Sequence, residues 1–213
     1  MQRTRIKICG IKEHDHALAA AEAGADAVGF MFYRESPRFV EPEDARSIMD
    51  TLPPMVSTVG VFVNPSIEKF CDCEELCPTN YVQLHGAESQ EMVRQCGPWL
   101  IRAVRYDAAT IKTDLATWDA IDEVDAILVD GSLGGQGVAL DWNGLAEAIA
   151  GVKTPIFLAG GLTPENVGEA IRVVRPYGVD VSSGVEIERG VKDAGLIRAF
   201  CQAVRDADRA VYR

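Results

Sequence analysis

One unit recurs along this chain and limits what it can fold into. An alanine-rich amphipathic stretch ends in a small residue or glycine, an Asp or Asn follows, and a short β-branched run comes next. Glu22-Ala-Gly-Ala-Asp26-Ala-Val-Gly-Phe30, Asp122-Glu-Val-Asp125-Ala-Ile-Leu-Val-Asp130 and Pro176-Tyr-Gly-Val-Asp180-Val-Ser-Ser183 are instances. Strands alternating with helices in this way make βαβ units and a parallel sheet. The pattern predicts eight strands, at Arg5–Cys9, Ala27–Phe32, Ser57–Val63, Tyr81–His85, Leu100–Val104, Ala126–Asp130, Ile156–Ala159 and Val179–Ser182. Helices are predicted at Glu13–Ala23, Pro42–Thr51, from Ser66, then at Ser89–Gln95, Ala109–Ile121, Asn143–Ala150, Pro164–Val174 and Ala194–Ala207. Gly24 should close the first helix and the Ser66 hydroxyl should cap the third. Eight uninterrupted units fit a closed α/β barrel, a single (β/α)8 TIM barrel over residues 1–213, better than an open sheet of five to seven strands. No linker rich in Pro, Ser or charge divides the chain.

Composition narrows the partners. With 21 basic and 32 acidic side chains the net charge is −11, which repels phosphate backbones and argues against nucleic acid. No apolar run approaches the roughly 20 residues that span a bilayer, and the basic N-terminus is followed too soon by Lys12, Glu13 and His14 for a signal-peptide core. A cytoplasmic protein without membrane contact is expected, acting as a monomer or homodimer. Six irregularly spaced cysteines then read as reduced thiols. Cys73 and Cys77 share a helical face while Cys71 lies on the other, and no nearby histidine completes a zinc site.

In such a barrel the chemistry belongs at the C-terminal ends of the strands. Cys9 ends the first strand and is followed by Gly10. It is either a small buried hydrophobe or a reactive thiol held on a rigid element with a sharp turn behind it. Alternation puts Lys7 on the same side as Cys9, so a lysine inside the barrel would need a partner, Gln83 or Asp180. His85 is a ligand contact or a mouth histidine satisfied by neighbours. Asp130 ends the sixth strand ahead of a loop with four glycines, Gly131 to Gly137. It is a general acid raised in pKa under a mobile lid, or an Asp capping a turn. The Ala159-Gly160-Gly161 turn and the Ser182-Ser183-Gly184 turn follow the seventh and eighth strands, where this fold commonly cradles phosphate on backbone amides. A phosphate held so needs no lysine, which fits the acidic charge. Arg38, on the long loop after the second strand, is a candidate grip for a second anion or a solvated surface group.

Taken together these residues resemble the phosphoribosylanthranilate isomerase family of tryptophan biosynthesis over the full length. The likeness rests on Lys7-Ile-Cys-Gly-Ile11, Gly29-Phe-Met-Phe32 with Ser36-Pro-Arg38, Gly60-Val-Phe-Val63, Val82-Gln-Leu-His-Gly86 and Leu128-Val-Asp130. It continues in Gly134-Gly-Gln-Gly137 with Asp141-Trp142, Leu158-Ala-Gly-Gly-Leu162 with Asn166, and Asp180-Val-Ser-Ser-Gly-Val-Glu186. The resemblance implies an aldose–ketose isomerase that performs an Amadori rearrangement of N-(5-phosphoribosyl)anthranilate without cofactor or metal. By the same resemblance, Asp130 is the acid that opens the sugar ring and Cys9, as thiolate, the base that takes the C2 proton. Arg38 holds the anthranilate carboxylate, and the Gly160–Gly161 and Ser182–Gly184 loops hold the phosphate. A base of this kind is expected to titrate below the ordinary thiol value of about 8.5. The lid departs from the usual family pattern at Gln136 and Leu140.

The neighbouring readings are the histidine-pathway isomerase or a bifunctional barrel, which carry an aspartate at the position of Cys9. Thiamine-phosphate synthase would need magnesium-binding acids and a lysine-rich pyrophosphate site, which the sequence lacks. A non-catalytic phosphate-binding barrel predicts a broken acid or base, and both are present.

Overall fold

The computed structural model describes residues 3–131 and 140–212. Eight parallel strands close into a barrel in chain order, β1 (Arg5–Cys9), β2 (Ala27–Met31), β3 (Ser57–Phe62), β4 (Tyr81–Leu84), β5 (Leu100–Arg105), β6 (Val124–Asp130), β7 (Ile156–Ala159) and β8 (Gly178–Val181), with β8 pairing back onto β1. The helices between and after them are α1 (His14–Glu22), α2 (Pro42–Met49), α3 (Ile67–Leu76), α4 (Gln90–Cys96), α5 (Ile111–Asp119), α6 (Trp142–Ala148), α7 (Val167–Val174) and α8 (Ala194–Val211). After β8 come a 3-10 turn at Ser183–Val185 and a small antiparallel hairpin, β9 (Glu186–Glu188) with β10 (Val191–Lys192), which the sequence pattern did not predict. No helix among the described residues is long and apolar enough to cross a membrane.

Alternation along the strands divides two cores. Cys9, Val59, Val61, Ile101, Ala103, Ala126, Leu128 and Ala159 pack together inside the barrel. Their neighbours in sequence, among them Ile6, Ile8, Val28, Phe30, Leu84 and Ile127, turn outward to the helices. The helices answer with stripes at helical spacing: Val167, Ala170, Ile171 and Val174 on α7, and Ile197, Phe200, Cys201, Val204 and Ala207 on α8. Ser66, Ser89, Asp141 and Asp193 cap their helices by accepting from the backbone N–H three residues on. Helix α7 starts later than predicted because Asn166 Oδ1 accepts from Thr163 N at 2.8 Å and its amide donates to Gly161 O at 2.9 Å, so a polar turn stands in for the first helical turn.

The recurring Asp or Asn has a definite job at the N-terminal end of the barrel. Asp26, before β2, accepts from the Ile6 N–H of β1 at 2.9 Å. Asn80, before β4, accepts from Thr58 N of β3 at 2.8 Å, and Asp125 of β6 accepts from Leu100 N of β5 at 2.9 Å. Each side chain satisfies a backbone donor of the preceding strand where that end of the barrel meets solvent. Asp180 differs: it lies one pleat further in, paired in register with Lys7.

Candidate active site

At the C-terminal end of the barrel a cavity of about 190 Å³ opens, and nearly all of the residues singled out in the sequence line it: Cys9, Arg38, His85, Asp130, Gly160, Gly161, Ser182 and Ser183. A larger recess of about 370 Å³ lies at the opposite end, among Arg5, Asp26, Tyr81, Phe157 and Tyr177. Volume does not locate the chemistry here; the smaller cavity holds the thiol, the imidazole and the carboxylate.

Cys9 faces into the barrel and is 6% exposed. Burial pushes its thiol up from the ordinary value, Lys7 draws it back, Asp180 raises it again and Lys192 lowers it. The balance lies upward, which corrects the expectation of a depressed thiol: the sulfur is more buried than a strand-end position implies. Lys7, 1% exposed, donates from Nζ to Asp180 Oδ1 at 2.8 Å. Of the two partners expected for it, Asp180 is the one found.

Gln83 instead turns to His85, with its Nε2 2.8 Å from Nδ1 of the imidazole. On the far side His85 Nε2 lies 3.2 Å from Asp130 Oδ2. If Gln83 donates, Nδ1 is the acceptor and the ring proton sits on Nε2, aimed at the carboxylate; this tautomer is assigned from the network. His85 is thus both a mouth histidine held by neighbours and a cavity wall. The loop that follows is clamped from behind the barrel. Arg102 donates from NH1 to Leu84 O at 2.9 Å and to Glu88 Oε2 at 2.8 Å, and from NH2 to Gly86 O at 3.0 Å. Glu88 in turn accepts from the backbone N–H groups of Asn64 and Gly86. Both side chains are buried, and the guanidinium stacks over Trp118.

Arg38 reaches the mouth across Gly10, where a Cβ would come within 2.7 Å of its Cδ. Its Nε and NH2 donate to Glu186 at 2.7 and 2.8 Å, a bidentate grip that uses one edge of the guanidinium. Glu186 also accepts from Lys192 Nζ at 2.8 Å and from Gly190 N at 3.1 Å. These donors outweigh its burial and pull the carboxyl down from 4.5 to about 2. Lys192 completes the arrangement by donating to Ser182 O and Oγ at 2.9 and 3.2 Å. Neither Glu186 as an aiming group nor Lys192 was legible as a site residue; a lone lysine in a short hairpin carries no pattern. Because the folded value of Glu186 is depressed, its contribution to stability is full above about 4.5 and is lost as pH falls toward about 2. Glu186→Gln is expected to show a shallower loss of stability than the parent chain over that interval in acid titration followed by circular dichroism.

Gly184 stands apart from the other sequence-predicted residues. It does not line the cavity; a Cβ there would sit 1.8 Å from Leu162 O, so the glycine lets the turn after β8 press against the turn after β7. Residues 132–139 of the glycine loop, including Gln136, lie outside the described residues. Leu140 is partly buried against the outer core and packs beside Gly131.

A closed barrel with a thiol and a carboxylate on one cavity, and glycine and serine turns from its last two strands beside them, defines an enzyme of the acid–base barrel class. The family model described as N-(5'-phosphoribosyl)anthranilate isomerase matches residues 6–203. The N-(5'-phosphoribosyl)anthranilate isomerase of Pseudomonas fluorescens (strain Pf0-1) is 46% identical over 212 residues, covering 96% of this chain and 100% of that protein. The crystal structure of phosphoribosyl anthranilate isomerase from Thermotoga maritima superposes with a TM-score of 0.87 at 42% identity, covering 95% of this chain and 99% of that one. A second structure, of a phosphoribosyl anthranilate isomerase in complex with reduced 1-(o-carboxyphenylamino)-1-deoxyribulose 5-phosphate, gives 0.84 at 41% identity over the same shares. The chain belongs to the N-(5'-phosphoribosyl)anthranilate isomerase family.

Proposed function

We propose that this chain, as one catalytic domain over residues 1–213, isomerises N-(5'-phosphoribosyl)anthranilate to 1-(2-carboxyphenylamino)-1-deoxyribulose 5-phosphate, an aldose–ketose conversion in tryptophan biosynthesis. The observation that carries the reading is the shared cavity: Cys9 of β1 and Asp130 of β6 line one space together with Gly160, Gly161, Ser182 and Ser183. Asp130 protonates the furanose ring oxygen; the C1–O bond breaks and the anilino nitrogen supplies the electron pair of a protonated Schiff base. Cys9, as thiolate, takes the proton from C2, and the C–H pair becomes the C1=C2 bond of an enolamine. Tautomerisation moves the hydroxyl proton of C2 to C1 and leaves the ketone. Acid and base act on one small sugar from different strands of a single mouth, which is what the two proton transfers require.

Arg38 holds the anthranilate carboxylate with the guanidinium edge that Glu186 leaves open, and the turns after β7 and β8 hold the phosphate on backbone amides. The setting is cytoplasmic, with the chain acting as a monomer or homodimer on a small phosphorylated substrate. Arg38→Ala is expected to raise KM by about tenfold or more with a smaller change in kcat, because a charged hydrogen bond to substrate is worth roughly 1.5–3 kcal/mol. An unchanged KM would place the carboxylate elsewhere. The function itself is tested by turnover of phosphoribosylanthranilate run beside the histidine-pathway aminoaldose: conversion of the first with little of the second is expected, and the reverse preference would move the chain to the sister isomerase.

A further inference from the structure

The thiol stands in a charged setting that its barrel neighbours, Val59, Val61, Ile101 and Leu128, would not lead one to expect. Lys7 lies below it on β1, Asp180 beside it on β8, Lys192 on β10 and Arg38 on the segment after β2. Glu186 of β9 binds the last two, and across the mouth are His85 and Asp130. On the near wall, among the described residues, Lys7, Lys192 and Arg38 pair with two carboxylates, Asp180 and Glu186, which leaves one more positive than negative charge in this cluster beside the sulfur.

Gly29 of β2 brings the thiol and the nearest ammonium together. A Cβ at this position would approach Cys9 Sγ to 3.0 Å and Lys7 Nζ to 3.2 Å, so both groups meet over the same bare stretch of backbone. A buried ion pair in a barrel filled by aliphatic side chains is poorly explained by stability, since apolar residues of the same volume commonly do as well or better.

We propose that Lys7 and Asp180 are positioning residues for Cys9, a matched pair in which the charge of the ammonium offsets part of the burial that favours the protonated thiol and the carboxylate limits how much of that charge the sulfur feels. The inference rests on Cys9 being the base of the isomerisation. Lys7 does not line the cavity, which Asp180 does, and it acts through the sulfur, while its own positive charge is kept by Asp180 and Cys9 against the cost of burial. Asp180 prevents the opposite failure, a thiolate so stabilised that it no longer takes a proton from carbon.

The test follows the ultraviolet absorbance of the thiolate against pH in the full chain, each curve corrected by the matching Cys9→Ala variant to remove the other five cysteines. Lys7→Met is expected to leave about tenfold less Cys9 thiolate at pH 7, and Asp180→Asn about tenfold more, the size of a one-unit move in either direction. The double variant Lys7→Met/Asp180→Asn removes the pair without stranding a charge and is expected to fall within about threefold of the parent. The lower limb of the kcat profile should move with the absorbance. If both single variants shift the same way, or neither shifts, the pair is structural and the inference is overturned; should Lys7→Met not fold, Asp180→Asn and the double variant decide it by the same signs. Loss of turnover in Cys9→Ala with unmoved titrations would sink the positioning role alone, whereas full turnover in Cys9→Ala would sink the base assignment and leave the titration result standing.

Discussion

Cys9→Ala is expected to turn over phosphoribosylanthranilate about 10²–10⁴ times more slowly than the parent chain, the usual loss when a positioned general base is removed. Binding should survive, because neither the guanidinium of Arg38 nor the turns at Gly160–Gly161 and Ser182–Ser183 depend on the sulfur for their geometry. The two halves of the reaction separate in this variant. Ring opening, which needs the acid at Asp130, should continue, while exchange of the C2 hydrogen with deuterium from solvent should stop. Steady-state rates would show the fall in kcat with KM little changed, and mass spectrometry of recovered substrate would show the missing exchange. A variant that still exchanges C2 hydrogen at the parental rate would require a different base.

The second large effect is on stability. Arg102→Met leaves Glu88 as a buried carboxylate that keeps its backbone donors at Asn64 and Gly86 but loses its counter-charge, and Glu88→Leu leaves Arg102 equally stranded. Each single change is expected to cost about 3–5 kcal/mol, lowering Tm by roughly 10 °C for a chain of this size. The double variant should recover much of that loss, since neither charge is then left alone. Differential scanning calorimetry on the set checks it, and strictly additive losses would mean that the pair is not coupled. The pair holds the carbonyls of Leu84 and Gly86 on either side of His85, so the single variants should also lower turnover by loosening the imidazole.

The barrel was legible because its strands read as short apolar runs rich in β-branched residues, and three of them, β2, β4 and β6, are also marked by an Asp or Asn at their start. Most of the candidate site was legible through one rule, residues at strand ends with glycine behind them, which singled out Cys9, His85, Asp130 and the two turns; Arg38 was singled out from its loop as an anion grip instead. What escaped were contacts between segments distant in sequence. Arg38 and Glu186 are 148 residues apart, and no local pattern couples them; Lys7 and Asp180, 173 apart, were reached only through strand alternation, with Gln83 left as the alternative. The thiol was misjudged for a related reason, since strand-end position says where a side chain points but not how many neighbours cover it. Asp180 also shows how a shared motif can mislead. It sits in the same kind of repeat as Asp26 and Asp125, yet it comes two residues into its strand instead of at the start, which turns it from a backbone acceptor at the rim into an ionic partner within.

Asp26, Asn80 and Asp125 each tie one strand to its predecessor, and all three do so on the side of the molecule remote from the cavity. The barrel therefore has a foundation that takes no part in what happens above it. Loops on the upper rim could be exchanged, lengthened or given new specificity while the lower hoops keep the staves aligned, which would let one sequence framework be retuned for a different sugar without first being made more robust.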